Sequence, residues 1–259
     1  MLNFALYATT VLVWGSTWYA ITFQLGEVPL EWSIVYRFFL STLLMFTFCL
    51  LTGRNLRFSW RQHRVFAGLG LFLFSTNYYF TYVSIGFITS GLVAVVFSTL
   101  TLMNIFNGNL FLKNKLEPQL IGAALVGLTG IGLIFWPEIH SLDLTDATVV
   151  GVAIALIATW FASLGNTVAS TKAAKALPIV QMNAWGMLYG TGVLAMYTVA
   201  SGIPPAFEGS APYLISLVYL SVFGTVVAFS CFLLLLARIG LERAGYISVM
   251  FPLVALAIS

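Results

Sequence analysis

Charge is what this sequence has least of. Lys and Arg number 11 and Asp and Glu 8 in 259 residues, 7% charged in all, where a soluble domain carries about 25%. That is too little polar surface to coat a sphere in water. It excludes an ordinary water-soluble enzyme, a nucleic-acid binder and a disordered chain, and leaves the bilayer as the solvent. Cysteine is nearly absent as well. Cys49 and Cys231 both fall in apolar runs, so they read as small packing residues and not as a disulfide framework or a metal site. His63 and His140 stand in polar loops without a partner at ligand spacing. Neither metal nor cofactor is expected. The N-terminus lacks a basic leader segment, and its apolar run is long enough to span, so it reads as a retained helix.

What the sequence does have is 60% hydrophobic residues and a mean hydropathy of +0.99. Apolar runs of about 20 residues recur between short polar loops. They cover 4–23, 33–52, 65–85, 89–112, 119–136, 148–169, 179–200, 212–237 and a ninth from 244 to the last residue. The expected fold is therefore an all-α polytopic membrane protein with nine helices.

The loops alternate in charge. Arg54, Arg57, Arg61 and Arg64, Lys113 and Lys115, Lys172 and Lys175, and Arg238 and Arg243 follow the even-numbered runs. The opposite loops hold Glu27, Glu31, Glu138, Asp143, Asp146 and Glu208, and no Lys or Arg. The positive-inside rule places the basic loops and the N-terminus in the cytoplasm. A missed helix would scramble this pattern downstream, so the alternation also supports the count.

IGFITSGLVAVVFSTL (85–100) and IGLERAGYISVMFPLV (239–254) share I-G, then G, V and F in one frame at an offset of 154. The first copy enters its helix from the acidic side, the second from the basic side. Opposite entry requires an odd number of helices per unit, and five plus five fits. The division falls at 1–137 and 138–259. The counterpart of the fifth helix then lies beyond Ser259, and the ninth run, about 16 residues, reads as truncated. Inverted repeats of this kind build secondary transporters with a substrate site between the halves.

Four stretches carry a family resemblance: LVWGSTW (12–18), the unit around 85–97, KNKLEPQLIGAALVGLTGIGL (113–133) and LERAGYISVMFPLVA (241–255). Together they resemble the drug/metabolite transporter superfamily, specifically ten-helix EamA-type permeases. The resemblance implies a bacterial inner-membrane carrier, often an exporter of amino acids or other metabolites. Its central cavity would be lined by helices 1, 3, 4, 6, 8 and 9. Two departures stand out. Glu117 follows Lys115 and Leu116, whereas the family turn places Glu directly before a basic residue. Ser98 occupies the place of Pro252 in the other repeat.

Polar stripes in lipid must face protein or water. The sixth run places Thr159, Ser163, Asn166 and Ser170 on one face, the first Thr10, Trp14 and Thr17, and the third Ser75, Tyr78, Tyr79 and Tyr82 beside Asn77. The expected substrate cavity is Trp14, Thr17, Asn77, Tyr78, Tyr79, Tyr82, Trp160, Ser163 and Asn166, with Thr101 and Asn104 near it. Trp14 and Trp160 are paired by the repeat. The alternative is plain interhelical hydrogen bonding. Gly91 with Ser98 and Gly245 with Pro252 are the expected hinges, or static kinks. Gly186 with Gly190 and Ala123 with Gly127 read as close-packing pairs. Arg37 is the one charge inside a run: a gate, a contact for a substrate carboxylate, a partner of Glu31, or a side chain snorkelling to the headgroups.

No Asp or Glu lies deep in any run. Small multidrug antiporters of the superfamily this chain resembles use a glutamate in their first helix, and this first helix has none. A membrane enzyme would need a nucleophile and base, or metal ligands, at mid-depth, so no enzyme is expected. The expectation is a monomeric secondary carrier in the bilayer moving small metabolites, foremost amino acids, outward by alternating access. A proton-coupled multidrug exporter is the alternative, with a passive channel behind it.

Overall fold

The computed structural model describes residues 1–140 and 146–258, whose regular structure is all helix, with no strand among them. Asp143, one of the acidic loop residues, lies outside the described residues. The long segments are α1 (Leu2–Thr22) and α2 (Leu30–Leu51), then α3 (60–85). In α3 an α-helix over Trp60–Leu71 passes through a π turn at Phe72–Thr76 into a second α-helix, Asn77–Ile85. α4 (Ser90–Leu112) breaks after Phe97 and resumes at Leu100. α5 (Pro118–Ile134) leads through a short helix, Trp136–His140, towards α6 (Asp146–Ser170). A four-residue helix, Lys172–Lys175, precedes α7 (Ile179–Ala200). α8 (Ala211–Ile239) carries a second π turn at Val222–Val227, and α9 (Leu241–Ile258) breaks at Tyr246. By length and composition, α2, α4, α6, α8 and α9 can each cross a membrane. This is the architecture of an all-α polytopic membrane protein.

Local chemistry sets the boundaries. Ser59 and Gln62 form a capping box that starts α3. Thr89 caps α4 by accepting from the Leu92 N–H, and Pro118 opens α5, where a missing N–H costs nothing. Lys113 ends α4 in the left-handed region (φ 59°). Gly240 ends α8 at φ 92°, a conformation open to glycine at little cost. The sharp turn at Gly240 starts α9 at Leu241, three residues before the apolar run suggests. The described part of α9 is therefore 18 residues long.

Close packing depends on absent side chains. A Cβ on Gly190 of α7 would lie 2.7 Å from Phe74 Cβ and 3.0 Å from the Phe74 carbonyl. On Gly165 of α6 it would lie 2.6 Å from Leu73 Cβ. The π turn of α3 is thus clamped between two glycines on two helices. Gly186 meets the Phe74 ring, and Gly127 of α5 meets Val249 of α9. Gly186, Gly190 and Gly127 are packing positions, as small residues in lipid generally are, whereas Ala123, the partner read for Gly127, is exposed.

Hydrogen bonds join the early and late parts of the chain at both ends of the bundle. At the end that carries the basic loops, Arg238 Nε donates to Asn3 Oδ1 (2.6 Å), Asn114 Nδ2 to Glu242 Oε1 (2.6 Å) and Tyr246 Oη to the Leu120 carbonyl (2.6 Å). At the other end Gln24 donates to Ser216 Oγ (2.6 Å), Trp32 to the Ile203 carbonyl (3.1 Å) and Tyr36 to the Ala206 carbonyl (2.9 Å).

Gly190→Ala is expected to destabilise the purified protein by about 1–3 kcal/mol, because backbone must shift to admit the methyl. Gly192→Ala, two residues on and with nothing within 4 Å, should leave it unchanged. Melting temperatures in one detergent compare the two.

Candidate functional site

Among the described residues, a cavity inside the bundle takes its walls from seven long segments. α1 contributes Trp14, Thr17, Trp18 and Ile21; α2 contributes Arg37; α3 contributes Leu73, Asn77, Tyr78 and Thr81. Phe97 and Leu100 come from α4, Ala162 and Asn166 from α6, Phe229 and Phe232 from α8, and Phe251 from α9. The free space between the walls is about 70 Å³, room for a small group and not for a folded chain.

Aromatic rings make the walls. Trp14 meets Phe229 edge-on at 5.0 Å and Phe232 at 4.9 Å. Across the cavity Trp18 lies 6.1 Å from Phe97 and 5.9 Å from Phe251, which are themselves 6.2 Å apart. Phe97 and Phe251 are the phenylalanines of the shared sequence frame. Such edge and tilted contacts are the favoured geometry for ring quadrupoles.

The π turn of α8 orients one side of the site. There the Ala228 N–H goes to the Phe223 carbonyl and not to Gly224. The Gly224 carbonyl accepts the indole N–H of Trp14 at 3.1 Å, which fixes that ring. Thr225, next in the turn, accepts from Arg37 Nε at 3.0 Å. Single π turns often mark functional sites for this reason: they free backbone groups and re-aim side chains.

Arg37 is 1% exposed and does not snorkel. Besides Thr225, its Nη1 donates to Tyr82 Oη at 3.4 Å, and its guanidinium lies over the Tyr78 ring at 4.8 Å. Thr225 and Tyr82 hold it, not Glu31. Among the described residues no carboxylate lines the cavity.

At the seam of α4 and α6, Asn107 Nδ2 donates to Ser163 Oγ (2.8 Å), and Asn166 Nδ2 lies 3.5 Å from Asn104 Oδ1. Asn166 Oδ1 and Asn104 Nδ2 are buried without partners. Where α4 crosses α9, Thr101 Oγ1 donates to the Gly245 carbonyl (2.9 Å) and lies 3.2 Å from Ser248 Oγ. A Cβ on Gly245 would lie 3.0 Å from Asn104 Nδ2, so the crossing needs that glycine.

The structure brings Trp14, Thr17, Asn77, Tyr78 and Asn166 together on the cavity, with Arg37. It places four other residues elsewhere. Trp160 is 47% exposed, with its indole N–H 3.4 Å from Asn107 Oδ1. It stands about 120–160° round α6 from the buried stripe of Ala158, Ala162 and Asn166, so pairing it with Trp14 is wrong. Tyr79, one residue past Tyr78, turns to α7 and shares a hydrogen bond with Tyr197 Oη (2.9 Å). Tyr82 is buried behind Arg37, and Ser163 belongs to the α4–α6 seam. Of the hinge residues, Ser98 marks the break in α4, and Gly245 precedes the one at Tyr246. Gly91 is an ordinary first-turn position, and Pro252 lies in the unbroken stretch Ile247–Ile258. The proline removes the bond to the Ser248 carbonyl, yet α9 changes course at Tyr246, where Gly245 lies against α4. Trp18, Phe97, Phe229, Phe232 and Phe251 were not anticipated as walls. The repeat frame already contained Phe97 and Phe251; nothing separates Phe229 and Phe232 from lipid-facing rings in sequence.

The EamA-like transporter family model matches residues 3–136 and 149–259. Similar proteins include the uncharacterized transporter YoaV of Bacillus subtilis, 22% identical over 250 residues, 96% of this chain and 84% of the relative. PagO of Salmonella typhimurium is 20% identical over 253 residues, 98% and 82%. An uncharacterized transporter of Archaeoglobus fulgidus is 23% identical over 257 residues, 99% and 88%. A solved crystal structure shares the fold with a TM-score of 0.79 at 18% identity, over 99% of this chain and 86% of that one. An all-helical bundle around an aromatic cavity, matched along nearly its whole length, belongs to the EamA-like transporter family, and its general role is transport.

Proposed function

We propose that the chain is a secondary carrier of the bacterial inner membrane that moves small metabolites, foremost amino acids, outward through the aromatic cavity. Its N-terminus and basic loops face the cytoplasm in this reading, and it works as a monomer. The single observation that carries the proposal is the cavity itself. It is central and walled by rings, with Arg37 and a few neutral polar groups at fixed points. Sites for small ligands have this character: apolar lining with sparse polar groups that fix orientation.

Alternating access is supported by the two sets of end-sealing bonds. Each joins residues before 137 to residues after 138, so rocking one half on the other can open one end while the other stays shut. The third and eighth segments, counterparts in the inverted repeat read from the sequence, both carry a π turn. Downhill export or exchange fits a cavity without carboxylates, since proton coupling in membranes normally uses such a group.

In proteoliposomes, counterflow of labelled amino acids is expected to be saturable. Trp14→Ala should reduce it by roughly tenfold, the loss of about 1.5 kcal/mol of ring contacts. Trp160→Ala should leave flux within about twofold of wild type, because a ring outside the cavity contributes no wall contact. Full flux in Trp14→Ala, or flux that never saturates, rejects the carrier.

With Cys49 and Cys231 replaced by Ala, a single cysteine at Arg61 should react with a membrane-impermeant maleimide only after cells are opened. One at Glu208 should react in intact spheroplasts. The reverse pattern inverts the assigned orientation.

A further inference from the structure

Arg37 is buried inside a membrane-length helix, and only neutral groups answer it. A guanidinium has five N–H donors. Thr225 Oγ1 takes one at 3.0 Å and Tyr82 Oη another at 3.4 Å. Nη2 has no acceptor among the described residues. Its flank is kept clear by Gly224, where a Cβ would come within 3.2 Å of it. The positive charge is thus oriented by a hydroxyl on one side and left open on the other, at the wall of the cavity.

Burial without a counter-ion is costly, and a chain retains such a group where something else supplies the anion. Arginine's planar fork matches a carboxylate in particular. One cation in the lining matches one negative group on the ligand. A second carboxylate would bring a charge that nothing in the lining answers, and a cationic ligand would meet repulsion. The ring of Tyr78 lies 4.8 Å from the guanidinium and 6.3 Å from Phe229, which Trp14 touches. A ligand held at Arg37 therefore lays its body along a continuous aromatic surface.

We propose that Arg37 anchors the carboxylate of the transported molecule, and that the substrate class is the monocarboxylates, anionic or zwitterionic, with a broad apolar body. This deepens, and rests on, the reading of the cavity as a transport site. Thr225 is a positioning residue that holds the fork towards the ligand.

Four probes share a phenyl body and differ in charge: 3-phenylpropionate, phenylalanine, phenylalaninamide and 2-phenylethylamine. Binding to the purified full chain is read by quenching of tryptophan fluorescence and by the rise in melting temperature. The two acids should bind, and the two cations should bind at least roughly tenfold more weakly. Arg37→Gln should bring the acids down to that level, and Arg37→Lys, which keeps the charge without the fork, should fall between. Thr225→Val leaves the charge in place and secures the test should Arg37→Gln not fold. It should weaken the acids several-fold and leave the cations unchanged, a selectivity that a purely structural role does not produce. Acids and cations binding wild type alike, neither acid binding, or acid binding unaltered in the folded Arg37→Gln or Thr225→Val protein each overturns the proposal. Flux separates the two levels. Arg37-dependent acid binding without flux overturns the transport reading and keeps the anchor; flux of the cations independent of Arg37 overturns the anchor and keeps transport.

Discussion

In hydrocarbon a polar atom must find its partner inside the protein, and the rest of this structure follows from how that demand is met. Most hydroxyls meet it within their own helix. Thr10 donates to the Leu6 carbonyl, Thr81 to Asn77, Thr159 to Ala155 and Thr191 to Met187, each at 2.7–2.8 Å. A hydroxyl folded back in this way has spent its one proton and can only accept from a neighbour, as Thr225 does from Arg37. Amides and a guanidinium have more donors than one turn of helix can absorb. Arg37, Asn104, Asn107 and Asn166 therefore reach across to other segments, and they cluster at the cavity or at the seams beside it. The location of the site is, in this sense, the place where local satisfaction fails.

That distinction decides what was legible in the sequence. Hydropathy and loop charge placed the helices because the bilayer imposes their length and composition on every residue in them. The stripe Thr159–Ser163–Asn166 was visible as polar, but its members have three fates: Thr159 is folded back, Ser163 is in the α4–α6 seam and Asn166 is on the cavity. Periodicity assigns a face, not a partner. Trp160 shows the same limit from the apolar side, since a tryptophan facing lipid and one facing a cavity look alike in composition. Arg37 was conspicuous as a lone charge. Its burial depends on Thr225, 188 residues away, and on a π turn that no local pattern announced.

Glycine works here in a complementary way. Where α3 passes between Gly165 and Gly190, backbones approach closely enough for van der Waals contact to replace the hydrophobic driving force that lipid does not provide. The clamp holds the π turn of α3, and the next turns of that helix carry Asn77, Tyr78 and Thr81 to the cavity. Packing at the glycines and the placement of the polar lining are therefore one arrangement, and a change to either is felt in the other.

The π turn in α8 has a consequence for how such a chain can change over time. It holds one more residue than an ordinary turn, and a single deletion between Val222 and Val227 would let it tighten into regular helix. The wide turn absorbs that extra residue, so the flanking parts of α8 would keep their faces, and Phe229 and Phe232 their wall. The Gly224 carbonyl would return to the helix ladder and leave the Trp14 indole, and Thr225 would lose the turn that aims it at Arg37. Ligand preference in this scaffold can thus be rewritten by altering chain length at one point, with no side chain exchanged.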